Sequence, residues 1–466
     1  MTAGRQRLVL AGMMTVALAF ALAVPTYPNY DSYFHLNWGR ELLDGQLPNL
    51  KAYAAPTQHP LFVVLSAGLV ALFGGAADRA LVVLCVVSLV VLVAAVYRVG
   101  AACFGVGPGL GAALFTGSSF AFLLYAARGY VDVPFLALVL VAAALEAERP
   151  RRGRAVSGVL VVAGLLRPEA WVLAGLYWLW LGWRRWDLLA LAIAAPVLWA
   201  LSDLAITGDP LYSLHATSEL AAELGRERGI ARVPQSFVAF LTDTARPPVF
   251  AAALLGAVLA YRSRRRLRAL HVPLALFAAG TVTFVGTGVG GLSILPRYLT
   301  VPAVALCLLA GYAVLGFTTL PLGPTRTRWG RGAAGAAVLG AAFLALKAGS
   351  FVALGRELRF IDRTHQAVVA TTRDLSAGRC RPVTLPTYRL IPDLRFELAA
   401  SEADVRARSE IGASAPGTAL FVVGDEKAVK RFGQAAGVSR RFNVAPASGA
   451  LNDFLLAEDR CRGGER

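Results

Sequence analysis

The chain has 466 residues, of which 56% are apolar and only 16% charged, and its mean hydropathy is +0.58. Apolar stretches repeated along the first 350 residues exclude a soluble globule and indicate an α-helical polytopic membrane protein. The formal net charge of +17 is concentrated in short arginine clusters between those stretches, where the positive-inside rule accounts for it without a nucleic-acid partner.

The first predicted span covers about 8–24, behind Arg5 and Arg7. Ala21 and Ala23 also form a weak signal-peptidase pattern, and both readings leave Tyr27 outside. A loop then runs over 27–59. The apolar segment 60–74 is short, because fifteen residues rise only ~22 Å as a helix against a ~30 Å hydrocarbon core. Counting it as a crossing would put Arg149, Arg151, Arg152 and Arg154 outside, so it is predicted to be interfacial or partly inserted. Spans follow at about 79–98, 107–125 and 131–147. Two short pieces, 155–166 and 170–183, are broken by Arg167, Pro168 and Glu169, which reads as paired half-spanning or tilted helices with their break toward the outer face. Arg184 and Arg185 return inside, and span 187–206 leads out to a polar loop over 207–246. Span 247–261 comes back to the basic run Arg262, Arg264, Arg265, Arg266 and Arg268. Spans 269–289 and 298–317 are separated outside by a turn ending at Pro296 and Arg297; Arg326, Arg328 and Arg331 then lie inside before the last span, 333–352. About eleven crossings result, with the N-terminus cytoplasmic.

The composition changes after residue 355. Residues 1–355 form the predicted transmembrane domain, and 356–466 read as a small extracytoplasmic α/β domain, with an apolar strand-like run at 419–423 and a charged helical pattern at 426–436. Cys85, Cys103 and Cys307 fall inside apolar spans as packing residues, whereas Cys380 and Cys461 are the only two in the tail and suggest a disulfide in an exported domain. No internal repeat and no Walker, Rossmann or zinc signature is present.

With the arginine runs inside, four polar clusters share the outer face: Asp31 with His35, Arg128 with Asp132, Arg167 with Glu169, and Arg297 with Tyr298. Charged groups beside a bilayer core are costly and usually functional, so their convergence points to a catalytic cavity. On the residues alone, each has a structural alternative. Asp31 is placed to cap the helix that follows it. Arg297 and Tyr298 suit an interfacial anchor, while Asp132 with Arg128 and Arg167 with Glu169 suit self-satisfied ion pairs.

An acid directly after the first span, a loop closing on His59, Pro60 and Leu61, the break Leu165-Leu166-Arg167-Pro168-Glu169-Ala170, and the pair Arg297-Tyr298 opening a late span together resemble the GT-C glycosyltransferases, especially mannosyltransferase-like members. The resemblance covers roughly residues 1–350. It implies a polytopic enzyme that moves a sugar, by inverting single displacement, from a polyprenyl phosphate to a glycan, lipid or protein acceptor on the outer face of the cell membrane. It also implies roles: Asp31 as general base, Asp132 as a second acid, and Arg297 as the donor-phosphate ligand with Tyr298, Arg128, Arg167, Glu169 and Lys51 around it. His35 and His59 become acceptor contacts. Some relatives carry paired acids in the first loop, but here Asp31 is followed by Ser32, which leaves dependence on a divalent metal open; His35 and Asp132 are the residues that would complete such a site. No other cofactor is indicated. The competing reading is a lipid or polysaccharide transporter without transferase activity, for which polar residues near mid-bilayer and related halves would be expected; neither is visible. A ligase or polymerase of lipid-linked glycans shares the transferase chemistry.

Overall fold

The computed structural model describes residues 3–24, 26–262, 270–375, 380–435, 438–446 and 452–461. Arg264, Arg265, Arg266 and Arg268, and the side chains of Arg5 and Arg7, lie outside that description. The chain opens with α1 (Ala3–Ala23) and α2 (Tyr30–Leu43), so the predicted first loop holds a fourteen-residue helix. Then come α3 (Pro60–Phe73), α4 (Ala77–Phe104), α5 (Val106–Gly117), α6 (Phe120–Ala127) and α7 (Asp132–Glu148). The expected continuous span 107–125 is instead two helices bent by 56°, because Gly117, Ser118 and Ser119 interrupt the apolar pattern between α5 and α6.

Next are α8 (Arg154–Gly164), α9 (Glu169–Leu181), α10 (Trp186–Thr207), α11 (Tyr212–Glu223), α12 (Val233–Ala245) and α13 (Pro247–Arg262). Helices α11 and α12 occupy what the average polarity suggested was a loop over 207–246. In α12, Val233, Phe237, Phe240, Leu241 and Thr244 share one face that packs on the core, a periodicity that the surrounding charge conceals. The bundle ends with α14 (His271–Val289), α15 (Thr300–Leu315), α16 (Pro324–Leu346) and α17 (Ala348–Leu375).

Among the described residues, five helical segments are long and apolar enough to cross a membrane: Pro60–Phe104, Trp186–Thr207, His271–Val289, Pro296–Thr319 and Pro324–Leu346; counting each of two bent pairs as one span raises this to seven, fewer than the eleven or so crossings expected, because several apolar stretches form short or bent helices. The protein is therefore a multi-pass membrane protein. A single 3-10 turn joins α3 to α4, so the short segment 60–74 is part of a 45-residue helical unit. At the centre, every residue from Thr300 to Ala313 of α15 is buried, as expected for a helix apolar all round. Gly311 allows it to touch α5, since a Cβ there would meet the Pro108 carbonyl at 2.5 Å. At the other extreme, only 6% of the apolar window of α16 is buried, and Val338, Leu339, Leu344 and Leu346 point away from protein. The last predicted span, 333–352, straddles the junction of α16 with α17 at Lys347.

Helix α17 carries the chain across residue 356 into the tail, which contains β1 (Val383–Leu385), α18 (Ile391–Leu398), β2 (Val405–Ala407), β3 (Gly417–Val422) and β4 (Leu455–Arg460). The sheet order is β2-β1-β3-β4, parallel except for β4, so the tail is an α/β unit. The helical pattern predicted over 426–436 shrinks to one turn, Glu426–Ala428, followed by a π turn over Val429–Gly433. Buried Arg408 ties the strands by donating to the carbonyls of Thr384 at 2.7 Å, Leu420 at 2.6 Å and Phe442 at 3.0 Å.

Cys380 and Cys461 are bonded, as their pairing in the tail suggested, and Cys85, Cys103 and Cys307 are buried free thiols. The bridge joins the residues before β1 and after β4. Non-reducing peptide mapping of the purified protein should recover the two cysteines as one linked species, and Cys380→Ser with Cys461→Ser should cost the tail ~2–4 kcal/mol of stability. Two readily alkylated thiols in the native protein would rule the bridge out.

Candidate active site

Helix α2 positions the first acid. Asn29 is its N-cap, its side-chain oxygen accepting from the backbone N–H of Asp31 at 2.8 Å and of Ser32 at 3.3 Å. Capping by Asp31 is thus corrected: Asn29 does that work, and the Asp31 carboxylate is turned elsewhere. The α2 start is pinned to the turn between α6 and α7, where the Asn29 N–H donates to the Arg128 carbonyl at 2.8 Å and the Ser32 hydroxyl to the Gly129 carbonyl at 2.7 Å. On the far side, Gly39 lets α2 lie against α3, because a Cβ there would meet the Ala67 nitrogen at 2.5 Å. Asp31 Oδ2 accepts from Arg297 Nη1 at 3.1 Å, joining residues 266 positions apart.

Behind that pair lies a buried ion cluster. Arg167, in the α8–α9 break, donates Nη1 to Asp132 and both Nε, at 2.9 Å, and Nη2 to Glu169. Its guanidinium also lies 5.4 Å from the Tyr298 ring. Asp132 therefore pairs with Arg167, which rules out the alternative bridge to Arg128, whose Nη1 donates to the Tyr27 carbonyl at 2.8 Å. The reason is spatial: Asp132 starts α7 and faces the bundle interior, completely buried, while Arg128 ends α6 and faces the opposite way into a cavity.

That cavity has a volume of about 430 Å³ and lies between the bundle and the tail. Asp31, Arg128, Arg297 and Tyr298 line it, whereas Asp132, Arg167, Glu169, His35, His59 and Lys51 do not. Lys51 is exposed and donates to the Thr207 carbonyl at 3.3 Å, outside the cavity, which removes it as a phosphate ligand there. His35 and His59 stack on each other with ring centroids 5.2 Å apart beneath Asp31, and His35 Nδ1 lies 2.6 Å from the Asp31 carbonyl, so they sit under the cavity floor and not on its lining. Burial pushes the His35 imidazole down to about 4, against the opposing pull of the Asp31 carbonyl and charge. His59 is driven the same way by burial and by His35, Arg167 and Arg297.

Three cavity arginines escaped sequence reasoning: Arg226, in the loop after α11, and Arg389 and Arg431 of the tail. No linear signal marks them: Arg226 lies in a polar loop, and Arg389 and Arg431 reach the cavity only through the way the tail seats over α2. With Arg128 and Arg297 they set five guanidinium groups against two carboxyls, Asp31 and Asp393, so the cavity suits an anion. Arg297 is only partly used, because its buried Nε has no acceptor among the described residues. His35 and Asp132 are held in separate contacts and do not assemble a metal site; the one cluster of metal-ligand type among the described residues is Asp78, His365 and Glu397.

No protein-family model matches the sequence. No curated protein does either. By structure, the chain is similar to ArnT from Cupriavidus metallidurans in two crystal structures, one bound to undecaprenyl phosphate and one in the apo state. Each match has a TM-score of 0.54 at 14% identity and covers 98% of both chains. The overlay covers both chains almost completely, so the helical bundle with its small C-terminal α/β unit is a fold that this chain shares with those structures.

Removing Arg167 would strand two buried carboxylates, so Arg167→Met should destabilise the protein by ~3–5 kcal/mol, partly restored by adding Asp132→Asn and Glu169→Gln. Thermal unfolding in detergent reads both effects, and an unchanged midpoint would refute the role given to this cluster. Acid should also loosen the floor. An unfolded histidine gains its proton below about 6.5, but His35 resists down to about 4, so the fold binds fewer protons in that interval and loses stability as pH falls through it. The difference in unfolding temperature between pH 7.5 and pH 5 should shrink in His35→Gln; an identical difference would place the acid sensitivity elsewhere.

Proposed function

We propose that this fold transfers a sugar from a polyprenyl-phosphate donor to an acceptor hydroxyl, with the cavity on the extracytoplasmic side of the cell membrane. The observation that carries the reading is the contact between Asp31 and Arg297 at the edge of an arginine-rich cavity. The fold supports it too, since the similar ArnT structure is bound to undecaprenyl phosphate. The tail disulfide and the positive-inside pattern both favour an extracytoplasmic tail.

In this reading the donor phosphate enters among the arginines and takes up the free Nε of Arg297. The guanidinium then shifts from balancing Asp31 toward balancing phosphate, and the carboxylate becomes available to an acceptor hydroxyl. The acceptor oxygen attacks the anomeric carbon from the face opposite the phosphate, a new glycosidic C–O bond forms as the bond from carbon to phosphate oxygen breaks, and the hydroxyl proton passes to Asp31. The polyprenyl phosphate departs with the electron pair, its growing charge held by Arg297 and the neighbouring guanidinium groups. Tyr298 fixes the arginine from below, with its ring 6.0 Å from the Arg297 guanidinium carbon. Asp132, Arg167 and Glu169 act as a buried positioning cluster beneath this surface.

Purified protein in detergent, given a panel of radiolabelled polyprenyl-phosphate sugars with water or simple glycosides as acceptors, should release or transfer label from at least one donor. Asp31→Asn should lower turnover by roughly two to four orders of magnitude while donor lipid still binds. Arg297→Met should weaken donor binding as well as rate, because phosphate charge is present before the bond breaks and grows as it does. Near-normal turnover in Asp31→Asn would remove it as the base. Movement of a lipid-linked or free sugar across proteoliposomes, insensitive to Asp31 and without any turnover, would favour a transporter.

A further inference from the structure

Asp78, His365 and Glu397 come from three elements, the first turn of α4, the middle of α17 and the last turn of α18, and one potential ligand atom from each lies within 4.8 Å of the other two. We propose that they bind one divalent cation of the zinc or manganese class, and that this ion clamps the tail onto the membrane bundle beside the cavity. An imidazole nitrogen with two carboxylate oxygens is a donor set for such ions, and three protein ligands leave positions for water.

The surroundings are built for a cation. Asp78 is 2% exposed, yet neither it nor Glu397 nor the adjacent Asp393 forms an ion pair among the described residues, and no described group donates a hydrogen bond to Glu397. The arginines nearby are engaged elsewhere. Arg79 turns its guanidinium to the carbonyls of Ala21, Val24 and Thr26, and Arg40 donates to the Phe396 carbonyl at 3.1 Å.

His365 is prepared as a ligand. Tyr27 stacks on its ring at 3.5 Å. The Tyr33 hydroxyl sits between Asp78 Oδ2 at 3.1 Å and His365 Nδ1 at 3.3 Å. A hydroxyl that donates to Asp78 accepts from Nδ1–H in the tautomer whose lone pair is on Nε2. This is the outer-shell orientation that fixes the tautomer of metal-binding histidines. The ion's role is structural, and it does not depend on which reaction the cavity performs.

The test uses the full chain with any affinity tag removed, stripped by chelation and titrated with Zn²⁺ or Mn²⁺ alone. One equivalent should remain after gel filtration, measured by elemental analysis, and it should raise the unfolding temperature. Glu397→Gln and His365→Ala alter half-buried positions and should each lose that equivalent while the Cys380–Cys461 bridge persists. Failure of the stripped wild-type protein to take up either metal stoichiometrically would overturn the proposal, whether or not the variants fold. Retention of a full equivalent in both variants would overturn it equally.

Discussion

Helix α2 has almost no free face, and the site inherits its geometry from that constraint. Its residues from Ser32 to Gly39 are all buried, between α3 on one side and α18 of the tail on the other. Buried polar groups must find partners, and here they find them across the seam. Asn37 donates to the Pro392 carbonyl at 2.9 Å, Arg40 to the Phe396 carbonyl at 3.1 Å, and Arg395 to Glu41 at 2.9 Å. The acid at the start of this helix is therefore fixed by contacts with both the bundle and the tail. Bundle and tail behave as one body around it, and the tail is as much a wall of the cavity as any helix of the bundle.

The arginines of the site divide by how fully they are occupied. Arg167 has carboxylates on both sides and a floor of aromatic rings, Phe135 and Tyr298, so it contributes rigidity. Arg297, one turn of chain before α15, holds a single carboxylate and keeps a buried N–H in reserve. Two residues that look equivalent in a sequence thus have opposite capacities for a new anion. Arg431 is intermediate, since it already shares Glu357 with Lys427.

Much of this was legible in the chain itself. Hydropathy and arginine placement put Asp31, Arg128, Arg167 and Arg297 in one region, and the structure does bring them together, because the cost of burying charge leaves few arrangements for four such clusters. What escaped was anything set by orientation within a helix or by contact between distant parts. Asn29 and Asp31 are both good caps, and only the backbone decides between them. Asp132 is four residues from Arg128 and 35 from Arg167, yet helix phase gives it to the latter. Helices α11 and α12 were hidden by the polarity of the stretch around them, and Arg389 and Arg431 enter the cavity only through the seating of a domain whose placement no local pattern encodes.

Helix α16 illustrates a different kind of freedom. Its side chains meet few others, so what it must supply is apolar length, and one large aliphatic residue serves as well as another at Val338 or Leu339. A segment with so few contacts keeps its path under many different apolar sequences. A fold built partly from such segments constrains few of its residues, so two chains can follow one path over 98% of their lengths while sharing only 14% of their residues.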